Sequence, residues 1–379
     1  MNKEANIFIL VDALGWEWVR LHPFLQSVAP YRSRLESVLG YSTAAIPSIL
    51  TGAYPQEHGR LSLFQRAQGR SPFASIGWLC ALPPALVENK YVRYAAKRMA
   101  CRFNHFGGWF HFLGIPLRHL PFLDVSEREN IYAPGGIPGS TTIFDLLEAR
   151  RSDYVVYSYH DGSNAELFAR MEAELRRRQK SFYFLYLDGV DGFLHGHADD
   201  AAASNACLNR YSASIAQLFE TALANYGRAR LHVFGDHGMA PTHRYIDVQA
   251  RLDKLNVRAP RDYLCVLDST MARFWFFSKD ASRVVMSVFS EKDGGQWLSK
   301  DDLQSLRAWF DDRRYGEEIY LMPEGVIIAS PDRGDIVSRG MHGFHPSTPH
   351  SPSAFVSSVD YHGTVNHITD VFRVMSAYV

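Results

Sequence analysis

Five short apolar runs constrain this chain more than anything else in its sequence. They are Ile7–Val11, Tyr154–Tyr157, Phe182–Leu187, Leu231–Phe234 and Val326–Ala329. All are rich in Ile, Val, Phe and Tyr, and none alternates cleanly between apolar and polar residues. A strand with one wet face alternates, whereas a strand covered on both faces does not. The runs therefore predict strands of a parallel or mixed sheet between helices. Helical patterns fill the intervals. Ile46–Leu50 and Thr142–Glu148 are short, and Ala165–Arg178 carries Leu167, Met171 and Leu175 at four-residue spacing. Ala201–Tyr226 is longer, with Leu208, Ile215, Leu218 and Leu223 as expected buried positions. Strands alternating with helices predict an α/β fold with a mostly parallel central sheet flanked by helices.

Two stretches interrupt that rhythm. Residues 60–140 are rich in aromatics, Gly and Pro, as in "HFGGWFHFLGIP". Residues 240–325 mix short strands with charged helices and include "ARFWFF" (272–277), which reads as a buried strand rather than a base-stacking platform. Both are read as insertions, about 60–140 and 240–325, forming a partial cap on a single domain spanning 1–379.

Composition excludes several classes. With 46% hydrophobic and 21% charged residues, the 379-residue chain can form an ordinary core. Forty basic and forty acidic residues cancel, so no whole-protein field steers it to nucleic acid or an anionic membrane, although a local basic site stays open. The run Ile7–Val11 is too short for a secretory h-region, and no stretch nears the roughly 18 apolar residues of a membrane span. Cys80, Cys101, Cys207 and Cys265 show no metal-type spacing, so reduced thiols and a cytoplasmic location are the expectation.

Three of the runs end in the same kind of residue. Ile7–Val11 meets Asp12; Phe182–Leu187 meets "DGVDGFLHGHADD", with Asp191 and His195; Leu231–Phe234 meets "GDHGM", with Asp236 and His237. Ligands of open α/β sheets collect outside the carboxyl ends of strands, so these groups can converge on one crevice. A mixed Asp and His set suits zinc or manganese, whereas an all-oxygen set suits calcium or magnesium. Asp191 and His195 are four apart, and one helical turn presents both to one ion. Asp236 and His237 are adjacent and need a turn, which Gly235 and Gly238 would permit. Taken singly, each Asp is an ordinary turn or cap residue; the recurrence carries the argument. His197 and His350 read as ordinary histidines. In "GYSTAAIPSILTG" (40–52), Ser42 and Thr43 head an apolar helix, where a hydroxyl either caps backbone N–H groups or serves as a nucleophile at an anion-binding terminus.

At these residues the chain resembles the alkaline phosphatase superfamily, and within it the type I phosphodiesterase and nucleotide pyrophosphatase branch. "ILVDALGW" resembles the first metal-binding strand end, and "STAAIPSILTG" the segment that opens with the nucleophile. "GAYPQEHG" (52–59) resembles its continuation. "YLDGVDGFLHG" resembles the Asp-x-x-x-His ligand pair, "GDHGM" the Asp-His pair, and "GMHGFHP" (340–346) the late histidine motif, which points to His342. The resemblance implies two divalent ions, zinc or alternatively manganese. Asp12, Asp236 and His237 would hold one, together with the Ser42 oxygen; Asp191, His195 and His342 would hold the other. The implied nucleophile is Ser42, with Thr43 as the alternative and the remaining hydroxyl capping the helix. Position 42 lacks the downstream Pro and Arg of sulfatases.

The implied activity is two-metal hydrolysis of a small-molecule phosphate ester, a diester first, through a phosphoserine or phosphothreonine. Neither a nucleic-acid polymer nor a membrane is an expected partner, and homo-oligomerisation stays open. The alternatives are a phosphomonoesterase, a soluble phosphoryl-group transferase, and a catalytically inactive metal-binding α/β protein. A monoesterase would need a further cation, for which Arg60, Arg273 and Arg339 are candidates. A diesterase could use an apolar wall, for which "NHFGGWFHF" (104–112) and "STTIF" (140–144) are candidates, though both read as ordinary packing.

Overall fold

The apolar runs form strands, four of them buried along the run and Tyr154–Tyr157, at a sheet edge, partly buried. The structure is a computed structural model that describes residues 4–104, 106, 114–328 and 338–379. The chain forms two compact units, one of Met1–His58, Ile131–Thr242 and Ser338–Val379, the other of Gly59–Asn130 and His243–Val337.

The first unit is built on a six-stranded sheet. Its strands are β1 (Ala5–Val11), β2 (Tyr31–Leu35), β3 (Tyr154–Tyr157), β4 (Phe182–Leu187), β5 (Ala229–Phe234) and β6 (Ser353–Ser357), in the order β2-β6-β5-β1-β4-β3. β1 pairs in parallel with β4 and β5, and β3 with β4; β6 runs antiparallel to β5 and β2. The sheet is thus mostly parallel, as expected. Alternate residues of each strand enter different layers. Ile7, Ile9 and Val11 pack with α3 (Asn164–Arg177), α4 (Gly189–His197) and α5 (Ala201–Tyr226). Phe8 and Leu10 pack with α1 (Ser42–Thr51), α2 (Ile143–Ala149) and α6 (Asp370–Ser376).

Register positions the functional region. Val11 lies opposite Leu187, and Leu10 opposite Phe234. The three strands therefore end together, and Asp12, Asp188 and Gly235 leave the sheet at one edge.

Some expectations need correction. Val326–Ile328 is a strand, but it pairs with Arg244–Ile246 in the second unit rather than joining the central sheet; Ala329 lies outside the described residues. A three-residue apolar run fits any buried sheet. Leu223 is 39% exposed, because the buried stripe of α5 continues through Leu218, Ala222 and Tyr226, four apart. β2 and β6 escape the apolar-run test, since "YRSRL" is polar at a sheet edge and "SAFVS" is bounded by serines.

The second unit holds a four-stranded antiparallel sheet of Tyr263–Leu267, Met271–Phe276, Glu318–Leu321 and Gln296–Trp297. "ARFWFF" supplies its buried second strand, as expected. Arg273 on that strand is fully buried. Its guanidinium donates to Asp268 Oδ2 (2.7 Å), the Phe64 carbonyl (2.8 Å) and Ser62 Oγ (3.1 Å). A buried charge is tolerated only when so paired, and this one is committed to its own core, not to a substrate. No described helix is long and apolar enough to cross a membrane.

Candidate metal centre

Each side chain of the centre is fixed by a local device of the first unit. Asp12 follows β1 directly, and its N–H donates to the Leu187 carbonyl at 2.9 Å, continuing the ladder. Ala13 then turns into the left-handed region (φ 60°), a conformation that costs an L-residue roughly 1 kcal/mol. The turn aims the Ala13 N–H at Asp236 Oδ1, 3.2 Å away, and so ties the end of β1 to the end of β5. Gly235 and Gly238 bracket the Asp-His pair, and neither adopts a left-handed conformation. They are needed for close approach: a Cβ on Gly238 would sit 2.1 Å from the His350 carbonyl oxygen, and one on Gly235 2.6 Å from that of Leu14.

Ser42 opens α1, and its Oγ lies 2.9 Å from His237 Nε2. Tyr41 is the N-cap and contributes no side-chain cap; Thr43 Oγ1 is buried without a hydrogen-bond partner. The expected capping hydroxyl is therefore absent. A buried helix docked on all sides holds its first turn by packing rather than by a cap.

The centre has two halves. In one, His237 Nε2 lies 3.4 Å from Asp12 Oδ1 and 3.2 Å from Asp236 Oδ2. In the other, Asp191 Oδ2 lies 3.4 Å from His195 Nε2, and Asp191 Oδ1 lies 3.6 Å from His342 Nε2. The halves meet: the His237 and His342 rings stack at 3.8 Å, and one donor atom each of Asp12, Asp191 and His237 falls within 4.8 Å of the others. The expected division thus has one departure. Asp191 reaches both sets, while Asp236 borders its set through His237.

Hydrogen bonds fix the imidazole tautomers. His237 Nδ1 lies 2.9 Å from the Gly238 carbonyl, and His195 Nδ1 2.9 Å from the Gly340 carbonyl. A carbonyl only accepts, so each Nδ1 carries a proton, and in the neutral ring each Nε2 is the lone-pair nitrogen. Those lone pairs face carboxylate oxygens. Asp12 Oδ1, Asp191 Oδ1 and Asp236 Oδ2 are buried with no hydrogen-bond donor. Acceptors turned toward acceptors in a desolvated site fit a bound cation, and a mixed N/O set fits zinc or manganese.

Without an ion, the electrostatics set the two carboxylates apart. Burial, then the charges of Asp236 and Asp191, push the Asp12 carboxyl well above its ordinary range. Asp191 is held below its ordinary range: burial opposes this, but hydrogen bonding and charge from His195, and the charges of His342 and His237, outweigh it.

Several supporting residues gave no sequence signal of their own. Tyr186 donates from its hydroxyl to Asp12 Oδ2. It is the penultimate residue of β4, and a lone phenol at the end of an apolar strand is the one hint available. Ser338 Oγ donates to the Gly340 carbonyl at 2.7 Å, behind His195. His58, from "GAYPQEHG", is buried with Nε2 3.0 Å from Ser48 Oγ, which joins the short helix Pro55–His58 to α1.

Other expected residues lie elsewhere. His197 is exposed and stacks on Phe193 at 4.2 Å. Arg339 pairs with Asp199 at 3.6 Å. "STTIF" forms the capping box of α2 through Thr142 and Asp145, with Ile143 and Phe144 in the core. Most of "NHFGGWFHF", and the side chains of Cys80 and Cys101, fall outside the described residues; Cys207 and Cys265 are free and buried.

Comparison with known proteins bears on this arrangement. By sequence, no curated protein matches. Among solved structures, murine ectonucleotide pyrophosphatase/phosphodiesterase 5 is 13% identical, covering 99% of this chain and 94% of its own, with a TM-score of 0.69. An inactive threonine-to-alanine form of that murine protein, in complex with AMP, is 14% identical over 100% of this chain and 96% of its own, with a TM-score of 0.68. Phosphonoacetate hydrolase from Sinorhizobium meliloti 1021, in complex with phosphonoformate, is 14% identical over 100% and 96%, with a TM-score of 0.65. At such identities these likenesses speak to the fold alone. A family profile described as type I phosphodiesterase / nucleotide pyrophosphatase matches residues 6–345, most of the chain. On that match the chain belongs to the type I phosphodiesterase/nucleotide pyrophosphatase family, metal-dependent hydrolases of phosphate esters within the alkaline phosphatase superfamily.

Proposed function

We propose that the chain hydrolyses small phosphate diesters, with Ser42 as nucleophile and two divalent ions at the centre. Asp12, Asp236 and His237 would hold one ion together with Ser42 Oγ; Asp191, His195 and His342 would hold the other. Zinc is the first choice and manganese the second. Two such ions, when bound, would offset charge on the attacking and leaving oxygens of an in-line displacement. The observation that carries the reading is the orientation of His195 and His237, whose lone-pair nitrogens face carboxylates across 3.2–3.4 Å.

The chain's own residues supply the rest. Ser42 Oγ sits at a helix N-terminus, where backbone N–H groups attract the substrate's anionic oxygens. The Ser42 oxygen lies 2.9 Å from His237 Nε2. Attack forms a bond from Ser42 Oγ to phosphorus and breaks the bond to the leaving alcohol, which departs with the hydroxyl proton; the serine is left esterified to a phosphate that keeps the substrate's second substituent. Water then cleaves the serine ester, releasing the phosphate monoester and restoring the hydroxyl. Tyr186 keeps Asp12 from rotating, and the Gly238 and Gly340 carbonyls keep His237 and His195 in register. Thr43 remains the alternative nucleophile, since the inactive murine relative has a threonine replaced.

The preference for diesters is supported by the family description. The chain acts in this reading as a single catalytic domain, with the second unit as its two insertions. A cytoplasmic setting is part of the proposal, supported by free Cys207 and Cys265. The test is metal analysis of the purified protein with parallel assays on bis-p-nitrophenyl phosphate and p-nitrophenyl phosphate, before and after zinc or manganese addition. About two ions per chain and metal-restored diester turnover, lost in Ser42→Ala, support the reading. Faster monoester turnover makes the enzyme a phosphatase, and no bound metal with no turnover overturns the reading.

A further inference from the structure

The formal neutrality of the chain conceals one strongly basic element. Helix Lys90–Asn104, in the second unit, reads "KYVRYAAKRMACRFN". It carries Lys90, Arg93, Lys97, Arg98 and Arg102 and no acidic residue. Arg93 pairs with Glu88 at 2.6 Å. Among the described residues, no carboxylate pairs with the other four cations.

The helix has two different apolar sides. Val92, Ala96 and Ala100 face the core of the second unit, beside Phe73, Leu117 and Trp275. The outward side holds Tyr91, Tyr94, Ala95, Arg98, Met99 and Arg102, all exposed. At 100° per residue these span an arc of roughly 140°, a single face. An outward face of an ordinary surface helix is polar. Here Tyr91 is 72% exposed, Tyr94 61% and Met99 46%. The elements just before it continue the pattern, with Trp78, Leu82 and Leu86 exposed. Half of the large apolar side chains exposed among the described residues therefore fall between Trp78 and Met99, so this is a concentration and not scatter.

We propose that this segment, Trp78 to Arg102, is a docking surface for an anionic lipid bilayer, with the helix lying in the plane of the interface. Charge complementarity selects the occupant. A second copy of this chain would bring the same cations to a two-fold interface, where they repel. A neutral apolar partner would leave the cations without counter-charge. A bilayer rich in anionic lipid answers both features: its headgroups meet Lys90, Lys97, Arg98 and Arg102, and the boundary below them takes up Trp, Tyr, Leu and Met. Tyr and Trp favour that boundary because their rings are apolar and their tips polar. Lying on a membrane needs no crossing helix, so the absence of one among the described residues is no obstacle. The proposal is independent of the phosphodiesterase reading.

The test is flotation of the full chain with vesicles of phosphatidylcholine alone and of equimolar phosphatidylcholine and phosphatidylglycerol. The chain should bind the anionic vesicles and not the neutral ones, and salt should release it. The charge reversal Lys97→Glu, Arg98→Glu, Arg102→Glu should weaken binding by about tenfold or more. The apolar deletion Tyr91→Ser, Tyr94→Ser, Met99→Ser should also weaken it at low salt, which a purely electrostatic contact would not show. All six positions are solvent-facing or partly so, and an unchanged circular dichroism spectrum and thermal midpoint would establish that both variants fold. Equal binding to both vesicle types, or none to either, overturns the proposal. So does a dimer in sedimentation that the apolar deletion abolishes, which would give the face to a second copy. Retention by polyglutamate without vesicle binding would assign it to an acidic polypeptide and overturn it as well.

Discussion

The two halves of the candidate metal centre use the same residue types on different supports. Asp12, Asp236 and His237 sit at the ends of adjacent parallel strands, with side-chain exposures of 6%, 0% and 6%. Asp191 and His195 ride on α4 and His342 follows the two-residue strand Gly340–Met341, with exposures of 22%, 27% and 10%. Sheet register and the Ala13 turn fix the first half. The second depends on side-chain ties, His195 to the Gly340 carbonyl and Ser338 behind it. A buried half held by backbone is preorganised; a half-exposed one gives substrate and water their approach. Asp191, which reaches both sets, is the hinge of the comparison.

Removing carboxylate charge should have the largest effect. Asp12→Asn and Asp191→Asn should each lower turnover by about 10³-fold or more while the fold survives. Their metal contents should differ. Asp191→Asn should deplete both ions, and Asp12→Asn chiefly the buried one, as elemental analysis would read. Equal depletion would break the idea that Asp191 serves both halves as a ligand; normal metal and full activity in both variants would sink the two-ion centre.

Supporting residues come next. Tyr186→Phe removes the donor to a buried carboxylate, and Ser338→Ala removes a tie behind a half-exposed histidine. Losses of outer partners typically weaken metal binding about 10–100-fold. Tyr186→Phe should fall toward the larger figure, because no water replaces the lost donor. Competition titration against a chromogenic chelator ranks the two, and the reverse order would mean that the exposed half is the more tightly organised.

The comparison also marks what could be read from sequence. Asp12, Asp191, Asp236 and His237 were legible because each stands just past an apolar run, and strand ends of a parallel sheet converge. His195 was legible from its four-residue spacing to Asp191. His342 was not derivable in this way: it stands about 150 residues downstream of Asp191 by chain numbering, in no periodic element, and only the family resemblance pointed to it. Tyr186 looked like any core residue of β4, because a strand pattern records burial and not which buried atom is polar. β2 and β6 were invisible for the converse reason. An edge strand such as Tyr31–Leu35 meets solvent, and its polar pattern matches a loop as well as a strand. Arg273 illustrates a third limit: an Arg within an apolar run looks exposed or functional until its partners, from distant segments, are known.

Without ions the two halves should respond to pH in opposite senses. The Asp12 carboxyl is raised in the folded state, so its contribution to stability is present below the unfolded carboxyl pKa of about 3.9 and is lost as pH rises through the folded value. Asp191 is depressed, so its contribution is present above about 3.9 and is lost as pH falls through its folded value. Chelator-treated protein should therefore melt progressively lower as pH rises from about 4 toward neutrality, and added zinc should remove that decline, since a cation stabilises the ionised form. A flat profile in the stripped protein would mean that Asp12 has another counter-charge in solution.

The smallest expected effect addresses the nucleophile. Thr43 Oγ1 is buried with no partner, while Ser42 Oγ sits 2.9 Å from His237 Nε2. Thr43→Val keeps the shape and removes the unpaired hydroxyl, so stability should be unchanged or raised by up to about 1 kcal/mol. Turnover should stay near wild type, whereas Ser42→Ala should abolish it. A catalytic hydroxyl must lie beside the groups that would hold the ion, and of the two hydroxyls only that of Ser42 lies within hydrogen-bond distance of one of them, His237. Phosphopeptide mapping of acid-quenched enzyme would then find the label on Ser42 in both wild type and Thr43→Val. Label on Thr43, with Thr43→Val inactive, would exchange the two roles and require α1 to turn at its first residue, because Thr43 Oγ1 has no contact with His237 as the helix stands.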